Sequence, residues 1–280
     1  MYEKEDDKNL RNTLSGLYKR GNLNRNLFFV AAALFLWGFG EGMFFNFVPI
    51  YLDVQFLLSK YQIGLILGAF GFFMAITHIP AGRLADRVGR RPLLVGAWML
   101  GLVSTLTMGV ALTLPLFLIG LFAYGLTAFV SSPLASYVTA ARGKWPVGTV
   151  LSLTTATFGM GMVLGPVTSG WIGDHYGMRM SFYVAAVVFV FSNAFMYFIE
   201  SQPIDHHDPD SPPPSLRSNK RFITLMGVLA LAIFSMYIAQ PLTPNFLESV
   251  RGLSLSETGL IFTVGALGNS LMAIAFSRAN

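Results

Sequence analysis

Eight long apolar runs constrain the fold of this chain more than any other feature of its sequence. A helix needs about 20 consecutive apolar residues to cross the roughly 30 Å hydrocarbon core of a bilayer. The runs are continuous and do not alternate, which excludes the ~10-residue strands of a membrane barrel. Because lipid offers no partner to the backbone, each run is expected to be a helix. The predicted membrane helices 1 to 8 cover residues 27–51, 61–81, 92–112, 114–138, 147–172, 179–199, 222–247 and 257–277.

The composition supports an all-α membrane protein. Hydrophobic residues make up 54% of the 280 positions and charged residues 12%, whereas a soluble domain carries about 25% charged residues. The chain has no cysteine, and its four histidines lack the spacing of a metal site, so neither disulfides nor a metal centre is expected. We recognise no phosphate-binding loop and no nucleophile–base pair, and therefore expect neither a cofactor nor an enzyme.

Lysine and arginine residues collect on one side of the predicted membrane. Fifteen of them lie in the N-terminal tail and in the connections after helices 2, 4 and 6, whereas the opposite connections hold three. This distribution predicts a cytoplasmic N-terminus and linker, and it explains the net charge of +5 without a nucleic-acid partner. With no cleavable signal peptide recognisable, we expect a multi-pass protein of the cell (plasma or inner) membrane, in contact with membrane lipids.

A polar segment divides the chain into two parts. Residues 200–221 are rich in proline, serine and acids, a composition typical of a flexible linker. An offset of 195 residues places Pro244 and Glu248 over Pro49 and Asp53, at the ends of helices 7 and 1. Two parallel six-helix repeats joined by a linker are a known transporter architecture. We therefore expect a cytoplasmic tail at 1–26, a six-helix bundle at 27–199, the linker at 200–221 and the first two helices of a second bundle at 222–280. The chain would then contain eight of an expected twelve membrane helices.

The connection between helices 2 and 3 reads GRLADRVGRRP from Gly82 to Pro92. It resembles the signature loop of the major facilitator superfamily, and it lies between the helices where that family has it. The resemblance implies a latch between two six-helix halves, in which Asp86 accepts hydrogen bonds from arginines or from a helix N-terminus. An ordinary basic cytoplasmic loop is the alternative. The predicted latch residues are Gly82, Arg83, Asp86, Arg87, Gly89, Arg90 and Arg91.

Helix 5 contains the run GMVLGPVTSG, which begins at Gly161 and ends at Gly170. Glycines four residues apart permit close helix contact, and a proline inside a helix removes one backbone hydrogen bond. The run resembles the helix 5 motif of the 12-helix drug:proton antiporters in the same superfamily, with Ser169 replacing one glycine. A small-residue packing seam is the alternative. The motif residues are Gly161, Gly165, Pro166 and Gly170.

Glu41 lies mid-way along helix 1, whereas every other acid lies in a loop, the tail or a helix end. An acid at the bilayer centre costs about 2.5–3.5 kcal/mol on insertion scales, so its surroundings must compensate. Glu41 is therefore a candidate to bind a proton or a cationic solute, and a hydrogen bond to another helix is the alternative. Aromatic side chains would suit a lipophilic cation, although packing also explains them. The other candidates are Trp37, Phe45, Tyr124, Phe158, Tyr237 and Gln240.

These features together predict a monomeric secondary active transporter that exports small amphipathic molecules in exchange for protons by alternating access. Many proton-coupled relatives carry an arginine in helix 4, but this helix has none before Gly125, so Glu41 would carry more of the coupling. Uptake of a sugar or another small metabolite is the alternative. A membrane receptor or scaffold that moves no solute is a second alternative.

Overall fold

The computed structural model describes residues 24–202, 219–237 and 240–278, and all regular secondary structure in them is helical. Short 3₁₀ turns at Phe45–Phe47 and Thr127–Val130 lie within the first and fourth helices. The predicted tail and linker therefore fall mostly outside the described residues. The helices are α1 (Arg25–Phe56), α2 (Lys60–Val88), α3 (Arg90–Val110), α4 (Leu114–Ala141), α5 (Val147–Tyr176), α6 (Met178–Tyr197), α7 (Lys220–Tyr237) and α8 (Leu255–Arg278).

Six helices, α1 to α6, are long and apolar enough to cross a membrane, and α8 has a shorter apolar stretch at Leu255–Gly268. A single continuous seventh helix was predicted over residues 222–247, and this prediction was wrong. Helix α7 is described as far as Tyr237, and from Gln240 the chain forms a 3₁₀ turn, three helical residues and a π turn that ends at Val250. Pro241 and Pro244 have no backbone N–H to donate, so an unbroken α-helix loses hydrogen bonds here.

The predicted loop between helices 2 and 3 is also largely helical. Helix α2 continues to Val88 and α3 begins at Arg90, so only Gly89 separates them. Residues 83–88 include neither glycine nor proline, and their polar side chains do not interrupt the backbone hydrogen bonds of the helix. Gly89 ends the helix because its φ of 89° lies in the left-handed region that favours glycine.

The backbone repeats where the sequence predicted a parallel repeat. Leu57 and Gly252, which are 195 positions apart, both have a positive φ, of 55° and 69°. A serine two residues later immediately precedes the next helix in both copies. The matching hydrogen bonds are Leu58 N to Leu52 O (3.4 Å) and Leu253 N to Leu247 O (3.1 Å), and Ser59 N to Gln62 Oε1 (2.9 Å) and Ser254 N to Glu257 Oε2 (2.8 Å).

Helix α1 packs chiefly against α5 and α6, and its closest approach is to α5. A Cβ atom on Gly161 of α5 would meet the carbonyl oxygen of Phe35, and one on Gly38 of α1 would meet the carbonyl oxygen of Phe158. The two backbones therefore touch where neither carries a side chain, as in other small-residue helix crossings.

We name the two ends of the bundle by the residues that lie there. The linker end carries Arg25 and Ile199, and the side chain of Arg25 forms an ion pair with Glu200 (3.2 Å). The far end carries Asp53 and Asp174, and the side chain of Asp53 forms an ion pair with Lys60.

We expect Gly161→Ala to destabilise the fold by about 1–3 kcal/mol, because the added methyl group must displace backbone atoms of α1. Gly68→Ala is the matched control, since a Cβ there meets nothing within 4 Å and alanine favours a helix interior over glycine by about 1 kcal/mol. Thermal unfolding in detergent measures both. Equal midpoints for the two variants would contradict the close crossing.

Candidate functional site

The carboxylate of Glu41 has two hydrogen-bond donors in the structure. The indole Nε1 of Trp37, one turn earlier on α1, donates to Glu41 Oε2 (3.0 Å). The hydroxyl of Tyr124 on α4 donates to the same oxygen (2.9 Å). In the described part of the chain no hydrogen bond reaches the other oxygen, Oε1, and the side chain keeps partial exposure. The protein thus fixes one oxygen of the carboxylate through two hydrogen bonds.

A buried aromatic stack holds the two donors in place. The ring of Trp37 stacks on Phe189 of α6, with centroids 4.6 Å apart and planes 19° apart, and on Tyr124, at 5.9 Å and 15°. Trp98 of α3 lies 4.8 Å from Trp37 on another side. Gly101 makes room for this arrangement, because a Cβ there would overlap the Trp37 ring. Helices α1, α3, α4 and α6 therefore orient Glu41 jointly.

Trp98 and Phe189 were missed in the sequence. Each lies inside an apolar run, and no spacing rule places helices 3 and 6 beside Glu41. The indole Nε1 of Trp98 donates to the hydroxyl of Ser192 (2.9 Å), which in turn donates to the carbonyl of Ala33 (2.7 Å). A polar residue within an apolar run, here Ser192, was the available signal for a buried contact.

The remaining candidates near the centre do not gather at Glu41 in the described contacts. The Phe45 ring lies 6.0 Å from that of Phe70 on α2. Phe158 lies on α5, where its carbonyl faces Gly38 of α1. Gln240 begins the exposed 3₁₀ turn after α7, and the side chain of Tyr237 lies outside the described residues.

The signature residues divide into those that the structure describes and those that it does not. Arg91 Nε donates to the carbonyl of Ile199 (2.6 Å), and its Nη2 donates to that of Tyr197 (3.0 Å). Arg91 thus binds the end of α6, within the first six helices. Arg87 is exposed at the end of α2, and Arg90 begins α3. The side chains of Arg83 and Asp86, and the surroundings of Gly82, lie outside the described residues.

Helix α5 also contacts α8, so the helix 5 motif lies between the two parts of the chain. A Cβ on Gly170 would meet the carbonyl oxygen of Leu255, and one on Gly259 would meet that of Pro166. The hydroxyl of Thr263 donates to the carbonyl of Val163 (2.8 Å). The glycines of this one motif therefore permit backbone contact with α1 and with α8.

A second contact between the two parts lies at the far end. Asn245 Nδ2 donates to the carbonyl of Pro49 and to Asp53 Oδ2, both at 3.1 Å. Pro49 and the neighbour of Asn245, Pro244, are equivalent at the offset of 195. The two copies thus meet at matching positions.

Comparison with known proteins agrees with this architecture. Residues 30–279 match the model of the Major Facilitator Superfamily. Multidrug resistance protein MdtG of Rahnella is 28% identical over 265 residues, covering 89% of this chain and 62% of its own length. A bacterial homologue of the human lysosomal transporter Spinster superposes with a TM-score of 0.71 at 17% identity, over 93% of this chain and 65% of that one. A D-xylose–proton symporter superposes with a TM-score of 0.66 at 13% identity, over 91% of this chain and 69% of that one.

The chain therefore spans less than two thirds of the length of the MdtG relative. The family match extends from α1 into α8 without a break, and the predicted signature and helix 5 motifs both lie within it. Three observations agree: the parallel repeat at an offset of 195, the six apolar helices and the family match over most of the sequence. The chain is a multi-pass membrane protein that belongs to the Major Facilitator Superfamily of transporters.

Proposed function

We propose that this chain serves proton-coupled export of small amphipathic cations by alternating access. The observation that carries the proposal is the carboxylate of Glu41, which lies mid-way along a membrane-spanning helix with one oxygen bound by Trp37 and Tyr124. Two hydrogen bonds to a charged acceptor contribute about 1.5–3 kcal/mol each. This is comparable with the cost of placing an acid at that depth, so the site tolerates the charged form.

Such a carboxylate can exchange one cation for another. A proton on Glu41 removes the charge that attracts a cationic solute, and a bound solute favours the carboxylate that has lost its proton. Binding of the two is therefore mutually exclusive, which is the requirement for antiport. The rings of Trp37 and Tyr124 are buried beside the acid, where they fix the carboxylate that would bind a cation.

Two observations support the direction of transport and the solute class: the name of a relative and the chemistry of the Glu41 site. The MdtG relative is a multidrug resistance protein, and drug resistance favours export of varied amphipathic molecules. The likeness to the D-xylose–proton symporter, at 13% identity, concerns the fold alone. Glu41 and its aromatic neighbours favour a cation over a neutral sugar, so uptake of a sugar is the weaker candidate.

Orientation in the membrane is part of the same proposal. The basic residues of the tail, the signature connection and the linker favour placing the linker end in the cytoplasm. The far end, where Asn245 contacts Pro49, then faces outward. With the two halves in contact on that side, a solute would reach Glu41 from the cytoplasm in the state described.

We expect Glu41→Gln to abolish efflux of ethidium driven by a pH gradient, because glutamine keeps the shape of the side chain but neither binds nor releases a proton. Ethidium fluorescence in inverted membrane vesicles measures the flux. Glu257→Gln is the matched control, since the described hydrogen bonds of this exposed acid are both with Ser254, the residue before α8. Efflux by the Glu41 variant at the normal rate would remove Glu41 from proton coupling.

We expect Tyr124→Phe to weaken binding of tetraphenylphosphonium about tenfold, because one of two hydrogen bonds that orient the carboxylate is lost. Tyr176→Phe removes a hydroxyl from an exposed tyrosine, 67% accessible at the far end, and should leave binding unchanged. Equilibrium dialysis with the purified chain in detergent compares the two. A similar loss in both variants would indicate a general effect on the fold.

We expect Asp86→Asn to slow transport of every solute by the same factor, because the latch controls how the halves move and does not touch the solute. Rates for ethidium and for tetraphenylphosphonium in vesicles test this. A change in the ratio between the two rates would contradict a purely conformational role for Asp86.

A further inference from the structure

The first six helices contain a second repeat, with an offset of 88 residues. Helices α2 and α5 end at Val88 and Tyr176, and α3 and α6 begin at Arg90 and Met178. Both connections read G-x-x-x-D-x-x-G-x-R, at 82–91 and at 170–179. Since each copy has three helices, the second is inverted relative to the first. The same connection is therefore built once at the linker end and once at the far end.

The backbone of the two connections is the same. Gly89 has φ 89° and ψ 156°, and Gly177 has φ 83° and ψ 149°. The N–H of Gly89 donates to Ala85 O (3.0 Å), and the N–H of Gly177 donates to Gly173 O (3.1 Å). The sequence motif that the two connections share therefore corresponds to the same backbone conformation at Gly89 and Gly177.

The arginine of each connection binds the other copy. Arg91 Nε donates to the carbonyl of Ile199 after α6 (2.6 Å), and Arg179 Nη2 donates to that of Ala111 after α3 (3.3 Å). Ala111 and Ile199 are themselves 88 positions apart. Each cation lies at the carboxyl end of a helix, where it is favoured. The two copies therefore exchange equivalent contacts, and their aspartates are expected to be equivalent too.

Asp174, the equivalent of Asp86, connects the first bundle to α8. Its Oδ1 accepts from the N–H of Leu255 (3.1 Å), and its Oδ2 accepts from that of Ser256 (2.9 Å). The first N–H groups of a helix have no partner within it, and a carboxylate there is favoured by the helix dipole. Gly170 lies one turn earlier on α5, where a side chain would collide with the backbone of Leu255.

We infer that Asp174 is a clasp that holds the two halves together at the far end, as the inverted counterpart of the Asp86 latch at the linker end. Release of one clasp would accompany formation of the other, which gives alternating access two matched closures, one on each face. Only this alternation rests on the proposed function. The far-end contact itself involves neither solute nor proton.

A buried reporter on α8 tests the clasp without any transport. The chain has no cysteine, and Thr258, one turn into α8, is fully buried. In the Thr258→Cys chain, Asp174→Ala should raise the rate of labelling by a water-soluble maleimide roughly tenfold, because the far end opens more often. Glu257→Gln in the same chain should leave the rate unchanged, since that acid contacts its own helix start.

A second pair of variants tests the same contact from α8. Leu255→Pro removes the N–H that faces Asp174 Oδ1, at a first helical position that proline tolerates, and Leu255→Ala truncates the side chain but keeps the N–H. In the Thr258→Cys chain we expect faster labelling with proline at position 255 than with alanine, and no difference between them once Asp174→Ala is present.

Either of two results would overturn the clasp. One is unchanged labelling in a folded Asp174→Ala chain, judged by a monodisperse elution profile in detergent. The other is a difference between Leu255→Pro and Leu255→Ala that persists without Asp174, and this pair decides the question if Asp174→Ala does not fold. The ethidium efflux of Glu41→Gln tests the proposed function and does not affect these labelling rates. Failure of the proposed function can therefore be distinguished from failure of the clasp.

Discussion

The contacts of α5 on two faces are the constraint on which the rest of the structure depends. Toward α1 its backbone lies against that of Phe35 at Gly161, and toward α8 it lies against that of Leu255 at Gly170. A side chain at either glycine would push a whole helix away, because the opposing atoms belong to backbone and cannot rotate aside. Between lipid-embedded helices, where apolar surface alone gives little preference for one partner, such close packing decides which helices associate.

The position of Glu41 follows from the same crossing. Gly38 and Gly42 present one side of α1 to α5, and the side chains of Trp37 and Glu41 reach Tyr124 of α4. Helix α1 is thus fixed by its contact with α5 while its acid is oriented by other helices of the same half. A change at Glu41, through gain or loss of charge, would act first on Tyr124 and the aromatic stack.

Much of the fold was predictable because lipid allows so few solutions. The length of each apolar run predicted a helix, and the offset of 195 predicted a parallel repeat, in which the turns at Leu57 and Gly252 match in the structure. The change from α-helix to a 3₁₀ turn at Gln240 was not predicted, although the sequence contains Pro241 and Pro244, because the apolar run extends past both prolines. Within the site, Glu41 stood out as an acid in an apolar run. Phe189 did not, because its role arises only when α6 packs beside α1, and a single sequence carries no signal of that neighbour.

Four of the hydrogen bonds that the described residues form between the two halves share one chemical property: on one side they end on main-chain atoms. Thr263 donates to the carbonyl of Val163, Asn245 donates to that of Pro49, and Asp174 accepts from the amides of Leu255 and Ser256. Main-chain groups are the same for every amino acid except proline. Side chains elsewhere in the chain can therefore be substituted while the surfaces that join the two parts keep their shape.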